Sequence, residues 1–104
     1  MLLTNIESVP GKSIVEHFGL VAGSTVRAKN SLKDFGAGIK NIFGGELKSY
    51  TALLEESRKQ AVQRMIDQAE ELGANAIVNV RFSTSNITQG ASELYVYGTA
   101  VKIG

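Results

Sequence analysis

Cysteine is absent from this chain, which removes any disulfide framework, thiol nucleophile or thiolate metal site. A surplus of one charge is missing too, with 11 Lys+Arg against 10 Asp+Glu. That balance argues against nucleic acid or an anionic membrane as the main partner, since both demand a concentrated basic footprint. No apolar run approaches the roughly 20 residues that would span a bilayer. Met1-Leu2-Leu3-Thr4-Asn5 lacks a basic leader and an apolar core of signal-peptide length, so a cytoplasmic protein is expected. Tryptophan is absent, and histidine and proline occur once each. With 104 residues, one domain spanning 1–104 is expected. Burial at this length is modest, and self-association is a natural way to hide leftover apolar surface.

What is present alternates between strand and helix patterns. Met1 to Asn5 suits a short strand, and Pro10-Gly11 marks a turn. Ser13 to Ala28 is rich in β-branched and apolar residues and predicts one long bent strand or two in sequence. Gly19 and Gly23 within it signal bulges or the close approach of another backbone. A first, short helix is predicted from Asn30 or Ser31, with Leu32, Phe35, Ile39, Ile42 and Phe43 at helical spacing, ending at Gly44-Gly45. A long helix is predicted from Tyr50 to Leu72, free of Pro and Gly, with Gly73 at the C-terminal cap position. Tyr50, Leu54, Ala61, Met65 and Leu72 fall on one line, with Val62, Ile66 and Ala69 beside it. An arc that wide suggests two burial partners.

Ala76 to Ser85 alternates, placing Ala76, Val78, Val80 and Phe82 on one face and Ile77, Asn79, Arg81 and Ser83 on the other. A loop from Asn86 to Ala91 then leads into a strand from Ser92 to Ile103, forming a hairpin. Asn86-Ile87-Thr88 has the form of a glycosylation sequon, read here as part of that loop. Both faces of the last strand are largely apolar, Tyr95, Tyr97, Thr99, Val101 and Ile103 opposing Leu94, Val96, Gly98 and Ala100. Such a strand is expected to be covered on both sides.

Several of these features in this order resemble the YbjQ-like family, whose members carry a heavy-metal-binding label. They are Lys33-Asp34-Phe35 before Gly44-Gly45, Tyr50 opening a long helix, Leu72-Gly73-Ala74-Asn75-Ala76 entering a strand, and the terminal Gly98-Thr99-Ala100-Val101. The resemblance implies a dodecin-subunit-like α+β fold: a small antiparallel sheet packed with one short and one long helix, in a ring-forming subunit. It also implies assembly as a homopentamer. No agreed catalytic residues come with the family, so none is transferred and no enzymatic activity is expected.

Soft metals prefer thiolate, thioether and imidazole ligands, and this chain offers one His and two Met. A closed tetrahedral site within one subunit is therefore not expected on ligand count. Five-fold symmetry would bring copies of His17, with Glu16, around one axis, and only that route supports a metal ion. The alternative is a strand histidine meeting water or backbone. Gly44-Gly45-Glu46-Leu47-Lys48 precedes a helix and offers amides to a phosphate, but it lacks P-loop spacing, and a glycine pair between helices reads first as a turn. Tyr95 and Tyr97 suit either a flat-ligand floor or subunit packing. Arg81, with Asn79 and Ser83, suits a polar ring interior or a solvated sheet face. The lone His17 has no motif-spaced triad partner. The carboxylate pairs Glu55-Glu56 and Glu70-Glu71 sit on the polar side of the long helix. The expected protein is a non-catalytic homo-oligomer that binds at most a small ligand. The alternative is a metal binder with symmetric inter-subunit sites, and an enzyme has the least support.

Overall fold

A computed structural model describes residues 1–28, 46–88 and 91–104. The short helix expected after Asn30, and Gly44-Gly45 at its end, lie outside the described residues. The elements are β1 (Leu2–Leu3), β2 (Ile14–Ala28), helix α1 (Glu46–Leu72), β3 (Ala76–Thr88) and β4 (Ala91–Ile103). They form an α+β unit with a four-stranded sheet in the order β1-β3-β4-β2. β4 runs antiparallel to both β2 and β3, whereas β1 lies parallel to β3. The sheet is thus mixed rather than wholly antiparallel. A long crossover separates β1 from β3 in the chain, which is what parallel pairing requires.

Two boundaries differ from expectation. α1 begins at Glu46, a turn before Tyr50, because Glu46 to Ser49 contain nothing that breaks a helix. β3 and β4 continue past the anticipated loop, with Asn86 opposite Ser92 and Thr88 opposite Ala91. The Asn86-Ile87-Thr88 triplet therefore belongs to a strand.

Gly73 ends α1 as expected. It adopts φ 89°, its amide donates to the Glu70 carbonyl at 3.0 Å, and the Ala74 amide donates to the Ala69 carbonyl at 3.1 Å. This is a Schellman motif, which satisfies carbonyls the helix leaves open. Asn75 then clamps the end of β4, its Nδ2 donating to the Ile103 carbonyl at 3.0 Å and its Oδ1 accepting from the Ile103 amide at 2.7 Å. The Gly73-Ala74-Asn75-Ala76 run thus caps a helix and pins a strand within four residues.

α1 lies across β2 and β4 and scarcely touches β3. Its buried row is Ser57, Ala61, Met65 and Ala69, closing on Val21, Ile77, Val96 and Ala100. Val62 and Ile66 pack against the same core, so the shoulder of the helix shares its burial partner with the row. Leu54 and Leu72, assigned to the buried line, are exposed. Gly23 is where helix and sheet come closest: a methyl there would overlap the Ala61 carbonyl oxygen. Gly19 takes φ 101° beside a register shift between His17 and Gly19. Both glycine expectations hold, one residue serving each.

β3 breaks its own alternation. Val78 pairs with Thr99 but Arg81 pairs with Tyr97, so β3 carries one extra residue, and Asn79 sits there with φ 54°. A bulge of this kind shifts the face of everything after it. Val80 joins Ile77 on the helix side, and Phe82 follows it there beside Val62. Ala76 and Val78 stay on the outer side in a second cluster with Val101, Val9 and Ile103. The anticipated Ala76, Val78, Val80, Phe82 stripe is therefore split between two faces.

Candidate functional site

The outer face of the sheet, away from α1, carries most of the residues singled out from sequence. In register across it, Leu20 faces Thr99, Ala22 faces Tyr97 and Ser24 faces Tyr95 on β2 and β4. Arg81 faces Tyr97 and Ser83 faces Tyr95 from β3. The two tyrosine rings stack with centroids 5.5 Å apart. Small neighbours on both sides leave them standing proud, and each remains about one-third exposed to solvent (37% and 36%). Leu20 is 79% exposed and Val26 51%. β4 is thus covered on its helix side and at the Val101 end of its outer side, while the tyrosine end is bare.

Arg81 is exposed and tied to the N-terminal segment. Its Nη1 donates to the Asn5 carbonyl at 2.6 Å and to the Val80 carbonyl at 3.0 Å. The backbone of the N-terminal segment is laced to β3 nearby, Val80 N to Thr4 O and Asn79 N to Ile6 O, each at 3.0 Å. Arg81 therefore helps hold the N-terminus along the bulged stretch. From Phe82 to Thr88 the outer edge of β3 has no strand partner among the described residues. The outer edge of β2 is partly closed by α1. Gln68 Oε1 accepts from the Ala22 amide at 2.7 Å, and Arg64 Nη1 donates to the Ser24 carbonyl. Side chains placed over an edge in this way blunt unwanted pairing.

His17 is exposed and pairs in register with Val101, while Glu16 pairs with Lys102. Consecutive strand residues point to opposite faces, so one chain does not present Glu16 and His17 together. Among the described residues no group of three or more His, Cys, Asp or Glu can hold a metal ion. Glu46-Leu47-Lys48 form the first turn of α1, but the glycine pair before them lies outside the described residues. Glu55, Glu56, Glu70 and Glu71 are all exposed.

Sequence reasoning missed a cleft on the helix side. Leu53, Leu54, Ser57 and Arg58 of α1 face Thr25 of β2, Thr84 of β3 and Ser92, Glu93 and Leu94 of β4 around about 280 Å³. Thr25 Oγ1 donates to the Ser57 carbonyl at 3.3 Å and ties strand to helix at one wall. Ser57 is 2% exposed, and its hydroxyl has no hydrogen-bond partner among the described residues. The one signal in sequence was a serine on the Ala61–Met65–Ala69 row, four residues before Ala61. Two shallower clefts, of about 690 and 530 Å³, run between α1 and the stretch of β3 it leaves uncovered, and Val62 and Phe82 line both.

The described residues form an α+β unit, one long helix on a four-stranded mixed sheet, and that fold defines the class of protein. Comparison with known proteins supplies the family. A family model described as "Putative heavy-metal-binding" matches residues 1–104, and the chain belongs to this YbjQ family. It is 63% identical over 101 residues to a UPF0145 protein of Hahella chejuensis, covering 97% of both chains. It is 52% identical over 103 residues to a UPF0145 protein of Halorubrum lacusprofundi, covering 99% of both. A solved structure of a protein of unknown function from Pediococcus pentosaceus, assigned to the DUF74 family, matches with a TM-score of 0.64 at 16% identity. It covers 100% of this chain and 98% of that one. That likeness concerns the fold.

Proposed function

We propose that this chain is the subunit of a non-catalytic homo-oligomer, a closed pentameric ring in the cytoplasm, serving as a scaffold or small-ligand binder. The observation that carries this reading is the bare outer sheet face, where Leu20, Val26, Tyr95 and Tyr97 lie uncovered beside a buried core. Apolar patches of this kind on small proteins mark interaction surfaces. The dimensions agree: the chain measures 53 × 28 × 19 Å with a radius of gyration of 16.9 Å. A compact domain of this length would have about 13 Å. The unpartnered edge of β3 and the partly closed edge of β2 differ in character, and unlike surfaces that pair head to tail generate rings. No helix among the described residues is long and apolar enough to cross a membrane.

Size exclusion coupled to light scattering tests it. The expected mass is five times the 11.1 kDa subunit, falling to a smaller species for Leu20→Glu combined with Tyr97→Glu. Both sites are solvent-exposed in the single chain, so the substitutions spare its core. A wild type that runs as a folded monomer at micromolar concentration refutes the reading.

The family description supports a second reading, metal binding between subunits. His17 is exposed and therefore available to copies of itself, which is the one arrangement that meets the ligand count. Calorimetric titration of Zn²⁺, Cu²⁺, Ni²⁺ and Cd²⁺ into wild type and His17→Ala decides it. Binding tighter than about millimolar that disappears in the variant supports an imidazole site, and binding that ignores His17 rules it out.

A further inference from the structure

We propose that the cleft between α1 and the far end of the sheet is a binding site for a small carboxylate with an apolar body. Its walls are predominantly aliphatic, from Leu53, Leu54 and Leu94, with hydroxyls from Ser57, Thr25, Thr84 and Ser92. An apolar cavity with a few polar groups converging on it is the usual form of a small-molecule site. About 280 Å³ limits the occupant to a short branched or single-ring molecule.

Two observations give the occupant its chemistry. The Ser57 hydroxyl is buried without a partner among the described residues, an arrangement that is unfavourable until something accepts or donates a hydrogen bond there. Arg58, the next residue, borders this cleft and the adjoining one, and no ion pair or hydrogen bond engages its side chain among the described residues. Guanidinium groups match carboxylates with two parallel hydrogen bonds. The other charged residue at the cleft, Glu93, lies in register with Val26. Strand alternation sends its side chain to the outer face with Tyr95, leaving its backbone at the cleft. One cation, hydroxyls and leucines together select an anion with a greasy tail. The described lining residues all belong to one chain.

The test is titration calorimetry with 4-methylpentanoate and phenylacetate against their uncharged amides and 3-methylbutylamine. The acids are expected to bind saturably, with the amides and the amine at least tenfold weaker. Arg58→Gln is expected to weaken the acids at least tenfold while melting with wild type, since Arg58 is exposed. Ser57→Leu, which fills the cleft, is expected to abolish binding, and Ser57→Ala, which leaves its volume, to weaken it less. No saturable binding by either acid at 10 mM would overturn the proposal, about the weakest affinity worth calling a site. Equal binding of acid and amide, or acid binding unaffected by Arg58→Gln, would overturn it as well.

Discussion

Replacing Gly23 by alanine adds one methyl where helix and sheet are closest. The added Cβ would overlap the Ala61 carbonyl oxygen, stand 2.7 Å from the Met65 amide nitrogen and 3.0 Å from the Arg64 Cβ. Carbon contacts are comfortable at about 3.5–4.0 Å, so α1 must lift from β2 by roughly an ångström. None of the three atoms is the free end of a side chain, so rotation of a neighbour cannot absorb the clash. Lifting α1 loosens Ala61, Met65 and Ala69, all fully buried, and a gap of that size forfeits about a quarter to a half of their dispersion contact. Overpacking penalties run about 1–3 kcal/mol, occasionally more, and this site belongs at the upper end. A less entropic unfolded chain returns about 0.4–1 kcal/mol. The net expectation is destabilisation by about 2–2.5 kcal/mol, read as a urea midpoint shift of roughly 1–2 M with m unchanged. Wild type and variant must be compared at one protein concentration, since association stabilises by mass action. Adding Ala61→Gly should not rescue the variant, because the clash is with a carbonyl rather than a methyl. A Gly23→Ala protein within 1 kcal/mol of wild type would refute so close a helix–sheet contact.

Two further substitutions probe the devices around β3. Asn79→Val forces a β-branched residue into left-handed backbone and should cost about 2 kcal/mol, whereas Asn79→Gly should unfold within about 0.5 kcal/mol of wild type, both by chemical denaturation. Asn75→Ala removes both hydrogen bonds to Ile103. It should cost about 1–2 kcal/mol and speed amide hydrogen exchange at Ile103, with little change at Val96.

Much of the fold was legible because its signals are local. Gly73 following an unbroken helical run could only be a cap, and β4 alternates without interruption from Leu94 to Val101. The shift at Asn79 was not legible. Period-two alternation assigns faces only while the register runs true, and an asparagine, though it tolerates left-handed backbone, does not by itself say that the register shifts there. The sites followed the same division. His17, Tyr95 and Tyr97 stand exposed on the outer face, where chemistry alone drew attention to them. Glu16 and His17 were neighbours in sequence, and alternation parts them. Arg81 is exposed, as a solvated sheet face requires, and its bond to Asn5, a residue 76 positions away, had no local signal.

By itself, then, the amino-acid sequence determined the family, the helix and its stop, the long strands and the absence of any thiol chemistry. These depend on residue type and on spacing within a few turns of chain. Tertiary structure alone decided that β1 runs parallel to β3, which side of the sheet Val80 and Phe82 serve, and that Ser57 is buried with its hydroxyl unmatched beside Arg58. Each of those outcomes depends on contacts between segments distant in sequence, and one extra residue in a ladder is enough to exchange the inside and outside of everything that follows.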